Sequence, residues 1–236
     1  MMSRLLVLAL SLIISVKGIS QQGSSMTHQT FNSLLQKYVS SAGKVNYKGI
    51  KKDKAILDGY LQELSKSVPD KSWNKNAALA YWINAYNAFT IKLIIDNYPV
   101  ASITKLSNGK PWDVKWIDLG GKKYSLNNIE NDIIRPQYND ARIHFAINCA
   151  AVSCPPLSNT AFTESNVNSL LTARATSFIN SSSNELSAAK VKLSKIFEWY
   201  KTDFGNTITF INKYSKTRVN DNAAVEYKEY DWNLNE

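Results

Sequence analysis

The fold is decided by the stretch N-A-A-L-A-Y-W-I-N-A-Y-N-A-F-T-I-K-L-I-I-D-N-Y, residues 76–98. It contains no Gly or Pro until Pro99 follows it, and apolar residues occur at nearly every position around a helix. A helix that is apolar nearly all round is buried on most of its sides. The stretch therefore predicts a long core helix on which the other elements pack.

Two asparagines interrupt this apolar helix. Asn84 and Asn87 lie three residues apart on one face, although Asn is a poor helix former. A buried amide must be hydrogen-bonded, so one interpretation is that both amides tie the helix to neighbouring backbone. The other interpretation is that they line a pocket, in a candidate binding set that also includes Trp82 and Arg142.

A second informative stretch is A-R-I-H-F-A-I-N-C-A-A-V-S-C-P-P-L, residues 141–157, which holds both cysteines and one of the two histidines. Its first part, Arg142–Cys149, is predicted to be a strand, with His144 and Cys149 on opposite faces because side chains alternate. The small residues and then Pro155-Pro156 predict a tight loop after it. Buried polar groups are costly unless paired, so the segment predicts either a functional site or a stapled, hydrogen-bonded corner.

Glu130 is a further candidate site residue. Ser125 is predicted to cap a helix over Leu126–Arg135, and Glu130 lies beside the apolar stripe of that helix. A carboxylate that faces inward needs a partner. Arg142 and His144, on the strand that follows, are the predicted partners.

The remaining segments predict a mixed fold. Trp112–Tyr124 is predicted to be a hairpin with Gly120-Gly121 as its turn, Thr163–Ile179 a helix, and Leu186–Leu193 and Ala224–Trp232 strands. Helices and strands mix without the regular alternation of a parallel sheet. We therefore expect an α+β fold, in which a long buried core helix and several shorter helices pack on a small, mostly antiparallel sheet.

The N-terminus has the pattern of an export signal. A positive charge precedes the short apolar run Leu5–Val16, and small residues up to Ser20 offer a cleavage site. Residues 1–20 are therefore predicted to be a signal peptide, residues 21–26 a disordered N-terminus, and residues 27–236 a single domain. We expect the protein to be secreted or periplasmic after cleavage near Ser20, without a transmembrane segment.

The composition is that of a globular chain with a basic excess. Hydrophobic residues make up 44% of the sequence, which is not the composition of a disordered chain. The formal net charge is +9, and only five of the 28 basic residues are Arg. Lysines give diffuse solvated charge, whereas Arg suits phosphate recognition. The basicity therefore favours anionic envelope polymers as partners rather than nucleic acid, for which no binding motif is present.

Six motifs resemble the domain-of-unknown-function-547 family and cover nearly the whole chain after the N-terminus. They are A-L-A-Y-W-I-N-A-Y-N-A-F-T (78–90), Y-P-V (98–100), Y-S-L-N-N-I-E-N-D-I-I-R (124–135), R-I-H-F-A-I-N-C-A-A-V-S-C-P-P-L (142–157), K-I-F-E-W-Y-K-T-D-F-G (195–205) and Y-D-W-N-L-N (230–235). The resemblance implies an exported bacterial protein but no particular activity. In the family pattern the positions that match Glu130, His144 and Cys149 recur. The position of Cys154 is Ser in plant members, and Asn131 stands where many members carry His.

The first functional hypothesis is a thiol enzyme. Cys149 would be the nucleophile, His144 the base that deprotonates it, and Glu130 the acid that orients the imidazole. Such an enzyme would be a hydrolase or transferase acting on amide bonds in the cell envelope. Its fold would loosely resemble papain-like or transglutaminase-like enzymes, although in those families the Cys starts a helix, and here that helix carries Asn84.

The second hypothesis is a non-catalytic structural or envelope-binding module. An exported protein with an even number of cysteines normally oxidises them, and Cys149 and Cys154 are close enough in sequence for a disulfide across the loop. Neither hypothesis includes a cofactor or a metal, because no cluster has metal-ligand spacing. The expected ligand is a small molecule, a peptide or an anionic envelope polymer, and the oligomeric state stays open.

Overall fold

The structure, a computed structural model, describes residues 26–236. The predicted signal peptide (residues 1–20) and residues 21–25 lie outside this range, and Met26 packs against the core. The helices are α1 (Gln29–Tyr38), α2 (Tyr47–Lys52), α3 (Lys54–Lys66), α4 (Lys75–Asp96), a π-helix (Asn128–Ile134), α5 (Arg135–Tyr138), α6 (Val167–Ile179), α7 (Ile196–Trp199), α8 (Lys201–Phe204) and α9 (Thr207–Asn212), with 3-10 helices at Ile103–Lys105, Ser107–Gly109 and Ala141–Phe145. The strands are β1 (Ile117–Leu119), β2 (Lys122–Tyr124), β3 (Glu185–Leu186), β4 (Lys190–Leu193) and β5 (Ala224–Tyr227). The predicted α+β class is confirmed, and within residues 26–236 no helix is both long and apolar enough to cross a membrane.

Helix α4 forms the centre of the fold, as predicted. The side chain of Asn74 caps it by accepting a hydrogen bond from the Asn76 amide at 2.8 Å. Sixteen of its 22 residues are buried, and α2, α3, α6 and the π-helix all contact it. Because these helices pack against α4 on several sides, nearly every position around it faces the protein interior, which explains why it is apolar nearly all round.

The strands form two small sheets. β1 and β2 are an antiparallel hairpin, and both turn glycines, Gly120 and Gly121, have positive φ (61° and 77°), which glycine adopts without steric cost. In the other sheet β4 pairs with β3 antiparallel and with β5 parallel. The predicted hairpin is therefore confirmed, and the strand predicted to reach Trp232 ends at Tyr227.

The segment predicted as a strand, Arg142–Cys149, is not a strand. It begins in the 3-10 helix Ala141–Phe145 and continues as irregular backbone. The Asp140 side chain accepts hydrogen bonds from the Arg142 amide (3.0 Å) and from Arg142 Nε (2.9 Å), and such a local cap starts a helical turn in competition with a strand. His144 and Cys149, which were predicted on opposite faces, line the same cavity, so the predicted two-faced arrangement does not occur.

The helix predicted over Leu126–Arg135 differs in shape and length. It is a π-helix over Asn128–Ile134 that runs directly into α5. Pro136 lies in the first turn of α5, where a missing N–H is tolerated, so the helical segment does not end at Arg135, where the predicted helix ended. The helix ends instead at Asn139, whose φ is 48°. Single π-turns occur frequently at functional sites, and this one carries Glu130.

The C-terminal segment, residues 230–235, is hydrogen-bonded to the loop at residues 150–154, here called the cysteine loop. The Val152 amide donates to the Asn233 carbonyl at 2.8 Å, and the Asn235 amide donates to the Ala150 carbonyl at 3.2 Å. These bonds place residues 230–235 beside the cysteine loop, although more than 75 residues separate the two segments in the sequence.

Candidate functional site

A cavity of about 200 Å³, here called the central cavity, lies beside the cysteine loop. Cys149, His144 and Glu130, the three candidate catalytic residues, all line it. Most other lining side chains are aromatic or apolar. The full lining is Tyr86, Trp112, Asn127, Glu130, His144, Ile147, Cys149, Cys154, Pro155, Ile196, Trp199, Tyr200, Tyr230 and Trp232.

A strained turn at residues 148–150, here called the cysteine turn, presents Cys149 to the central cavity. The next residue, Ala150, is fully buried with φ 61°, a left-handed conformation that a non-glycine residue adopts at a cost. The Asn148 side chain holds the turn, since its Oδ1 accepts from the Ala150 amide (2.9 Å) and its Nδ2 donates to the Pro155 carbonyl (2.9 Å). Residues held in strained conformations cluster at functional sites.

The two cysteines are free thiols in close contact. The Cys149 amide donates to Cys154 Sγ at 2.9 Å, and Cys149 Sγ lies 3.1 Å from the Tyr230 hydroxyl oxygen. The hydrogen bond with the Cys154 side chain, assisted by that of Tyr230, lowers the pKa of Cys149 although burial opposes the shift. Burial raises the pKa of Cys154 well above its ordinary value. The structure therefore contains a thiol pair in which Cys149 ionises first, rather than the alternative disulfide.

His144 is hydrogen-bonded to Asp203, which is not one of the predicted site residues. His144 Nε2 lies 2.8 Å from Asp203 Oδ2, and its ring stacks on Tyr200 with centroids 3.8 Å apart. Arg135 donates to both oxygens of the same carboxylate, from Nε at 2.6 Å and Nη2 at 2.8 Å. The hydrogen bonds from His144 and then Arg135 hold the pKa of Asp203 far below its usual value.

The predicted pairing of Glu130 with Arg142 or His144 does not occur. The Arg142 guanidinium binds Asp140 and, at 2.8 Å, the Thr172 hydroxyl, because the 3-10 turn directs it away from the π-helix. His144 binds Asp203 instead. Glu130 is 4% exposed, as its place beside an apolar stripe predicted, but its Oε1 has no hydrogen-bond partner in the described chain.

The amides of α4 tie the core helix to neighbouring backbone. Asn84 makes a two-way contact with Phe162, by donating to its carbonyl (2.7 Å) and accepting from its amide (3.0 Å). Asn87 donates to the Ala146 carbonyl (2.9 Å) and accepts from the Asn148 amide (2.8 Å). The first of the two interpretations accounts for these contacts, and Asn87 positions the start of the cysteine turn.

None of the four residues of the candidate binding set lines the central cavity. Asn84 and Asn87 are satisfied by backbone, and Arg142 lies against α6 through Thr172. Trp82 is buried among aromatic rings, perpendicular to Tyr81 at a centroid distance of 5.0 Å.

The imidazole and the thiol share the central cavity without a direct hydrogen bond. Nε2 of His144 is bonded to Asp203, and Nδ1 has no partner among residues 26–236. No group of three or more His, Cys, Asp and Glu side chains is placed to hold a metal ion in this part of the chain.

Three functional features lie outside the sequence predictions. Asp203 and Tyr200 belong to the motif K-I-F-E-W-Y-K-T-D-F-G, and Tyr230 belongs to Y-D-W-N-L-N. Both motifs resemble the domain-of-unknown-function-547 family, and that resemblance assigns no role to these residues. Their polar residues, set among aromatics, were the one signal that could have marked them as part of a site.

Comparison with known proteins identifies a family for the central part of the chain. A family model described as "Protein of unknown function, DUF547" matches residues 71–179, a range that includes α4, the π-helix and the cysteine turn. No curated protein and no solved structure matches the chain, so the likeness to papain-like or transglutaminase-like enzymes stays a prediction. The match over residues 71–179 supports the assignment of this chain to the DUF547 family.

Proposed function

We propose that the protein is a thiol-dependent hydrolase or transferase that acts on amide bonds, with Cys149 as nucleophile and His144 as general base. Asp203 takes the orienting role that was predicted for Glu130. The observation that carries the proposal is a partly exposed thiol of lowered pKa that shares a cavity with an imidazole held by a carboxylate. Reactive cysteines lie in such partly exposed, pKa-lowering surroundings.

The hydrogen bond with Asp203 supports the role of His144 as base. A carboxylate of strongly lowered pKa accepts from Nε2, so the proton of the neutral imidazole resides on Nε2. Nδ1 is then an acceptor, and no residue of the described chain occupies it. Transfer of the thiol proton needs Nδ1 and Sγ within hydrogen-bond reach, directly or through one water, and these contacts often tighten only in the substrate complex.

The reaction follows from these roles. The Cys149 thiolate attacks the carbonyl carbon of the amide, a carbon–sulfur bond forms and the carbon–nitrogen bond breaks. The amine leaves with the proton that His144 took from the thiol. A water or a second amine then attacks the thioester, which gives hydrolysis or transfer and returns the proton to the thiol.

Alkylation kinetics and acylation test this proposal. With iodoacetamide we expect one fast-reacting thiol whose apparent pKa lies below about 8.5, the ordinary value for Cys. We also expect a stoichiometric acylation burst with p-nitrophenyl acetate. The fast alkylation and the burst should vanish in Cys149→Ser, whereas Cys154→Ser should keep a thiol that alkylates. A burst that persists in Cys149→Ser would contradict the proposal.

The second candidate function is the non-catalytic envelope-binding or structural module with a Cys149–Cys154 disulfide. The observation that favours it is the contact between the two cysteines, with the Cys149 amide 2.9 Å from Cys154 Sγ. A thiol titration of the folded, exported protein without reductant separates the candidates. Two free thiols support the enzyme, and none supports the module.

We also propose that the protein acts outside the cytoplasm, as a secreted or periplasmic single-domain protein cleaved near Ser20. The pattern of residues 1–20 supports this proposal. N-terminal sequencing of the protein recovered from culture medium or periplasm tests it. A chain that still begins at Met1 in the cytoplasm would contradict it.

A further inference from the structure

Glu130 is a buried acidic group that has a neutral partner, the Tyr200 hydroxyl, but no ion pair within the described residues. It is 4% exposed, lines the central cavity, and its Oε1 has no hydrogen bond within residues 26–236. An uncompensated buried carboxylate is costly, so buried charges in proteins are normally paired. Asp203, not Glu130, orients His144. The proposed thiol chemistry therefore leaves the carboxylate of Glu130 without a role.

The protein supplies no countercharge inside the central cavity. No Lys or Arg is among the residues that line it, as far as the described chain extends. Arg135 is close enough for the charge of Glu130 to raise its pKa together with the larger effect of Asp203. Its guanidinium nitrogens, however, donate to Asp203 and to Asn131. Although the chain has a net positive charge, no Lys or Arg of the described residues lines the central cavity beside the buried carboxylate of Glu130.

Aromatic faces surround the same space. Tyr230 packs against Trp232 and Trp199 with ring centroids 4.6 Å and 4.7 Å apart, and Trp232 also contacts Trp112 at 5.7 Å. The faces of aromatic rings carry negative charge density and attract cations, and cages of such rings recognise substituted ammonium groups. Trp199 is 47% exposed, so the aromatic wall reaches from the cavity to solvent.

We infer that the central cavity binds a substituted ammonium group of the substrate, with Glu130 as its countercharge and the rings of Trp199, Tyr230 and Trp232 around it. The statement that this cation belongs to a substrate rests on the proposed function, whereas the binding of the cation itself does not. A cavity of about 200 Å³ is smaller than the roughly 300–1,000 Å³ of common ligand pockets, so it takes a head group rather than a whole ligand. The same charges reject an anionic group, which excludes the predicted anionic polymer from this cavity.

Titration of the full chain with choline tests the inference. The readouts are Trp fluorescence, because three tryptophans line the cavity, and calorimetry. The matched probe is 3,3-dimethyl-1-butanol, which has the same shape without the charge. We expect choline to bind about tenfold or more tightly than the alcohol, since removal of one charge from a partly desolvated pair changes affinity by at least that factor.

Two variants locate the effect. Glu130→Gln keeps the side-chain size and should reduce the preference for choline over the alcohol to about onefold to twofold, because the countercharge is gone. Asp132→Asn, two residues away on the same π-helix and exposed, is the matched control and should bind choline as the wild type does. Trp199→Ala, at an exposed position, should weaken choline binding and serves if Glu130→Gln fails to fold.

The inference and the proposed function fail separately. Cys149→Ala removes the proposed nucleophile and should leave the preference for choline intact. Equal binding of choline and the alcohol, no binding of choline, or an unchanged preference in both Glu130→Gln and Trp199→Ala would overturn the inference. None of these results bears on the alkylation rate of Cys149, and loss of the fast thiol would overturn only the proposed function.

Discussion

At the scale of single residues, the site depends on which carboxylate is hydrogen-bonded to the imidazole of His144. Asp203 accepts from His144 and from Arg135, so one carboxylate fixes the tautomer of the imidazole and neutralises the guanidinium. Glu130, which lines the central cavity together with His144, is bonded to neither His144 nor Arg135. The two carboxylates therefore differ in their hydrogen-bond partners, and Asp203 rather than Glu130 is placed to orient His144.

Replacement of Asp203 by Asn tests this division. We expect a loss of about 1–3 kcal/mol in the free energy of unfolding at neutral pH, because the three hydrogen bonds from His144 and Arg135 lose their charged acceptor. The pKa of Asp203 is lower in the folded chain than its ordinary unfolded value of about 3.9. Its stabilisation is therefore fully present above about pH 4 and is lost as the pH falls below that value. Chemical denaturation from pH 7 to pH 2 should show the difference between wild type and variant narrowing below pH 4. A constant difference would contradict the assigned ion pair.

The Tyr230 hydroxyl sets part of the reactivity of Cys149. Tyr230→Phe removes one of the hydrogen bonds that lower the pKa of that thiol, so the alkylation profile should move to higher pH and the rate at pH 7 should fall. Cys154→Ala should move the profile further, because the Cys154 side chain is the larger cause. Tyr227→Phe, whose ring lies near Lys195 outside the central cavity, is the control. An unmoved profile in Tyr230→Phe would remove Tyr230 from the site.

At the scale of elements, α4 and the cysteine turn work as one unit. Two asparagines of α4 satisfy backbone groups of segments that have no regular secondary structure. An irregular segment needs such side-chain partners because its own backbone does not pair. The turn itself keeps a left-handed alanine, which a neighbouring asparagine side chain stabilises.

Asn87→Ala should therefore be strongly destabilising. It leaves the buried Ala146 carbonyl and Asn148 amide without partners, and each unsatisfied group costs about 1–3 kcal/mol. We expect a loss of about 2–5 kcal/mol in the free energy of unfolding, measured by urea denaturation. Asn97→Ala, at the exposed end of the same helix, should cost less than about 1 kcal/mol. Similar losses at both positions would mean that the amide contacts of Asn87 contribute little.

The left-handed Ala150 predicts an asymmetric response to substitution. Ala150→Val places a β-branched side chain at φ 61° in a fully buried position and should cost about 2–4 kcal/mol, from backbone strain and overpacking. Ala150→Gly should cost less than about 1 kcal/mol, because glycine adopts this conformation freely. Melting temperatures of the two variants measure the difference. A valine that is tolerated as well as glycine would show that the turn relaxes out of the left-handed conformation.

At the scale of the whole molecule, the site is assembled from four distant segments. The π-helix supplies Glu130, and the cysteine turn supplies Cys149. Helix α8 supplies the Asp203 carboxylate, and the C-terminal segment supplies Tyr230. The C-terminal segment also hydrogen-bonds to the backbone of the turn through residues 233–235. Stability and reactivity are therefore coupled through that segment.

Deletion of residues 230–236 tests the coupling. The loss of the backbone bonds to Ala150 and Val152 should lower the melting temperature by several degrees, and the loss of Tyr230 should raise the pKa of Cys149. Thermal unfolding and alkylation profiles measure the two effects on the same sample. A truncated chain with wild-type stability would contradict the role of this segment in closing the fold.

Local pattern was enough to predict α4, the glycine hairpin, the α+β class and the inward orientation of Glu130, because helix periodicity and turn chemistry are properties of neighbouring residues. It failed for Arg142–Cys149, where a capping aspartate started a 3-10 turn that alternation does not reveal. Only tertiary structure decided that His144 is bonded to Asp203, 59 residues away, and that the amides of Asn84 and Asn87 are bonded to backbone groups. Such pairings depend on long-range packing of segments, for which a single sequence carries no periodic signal.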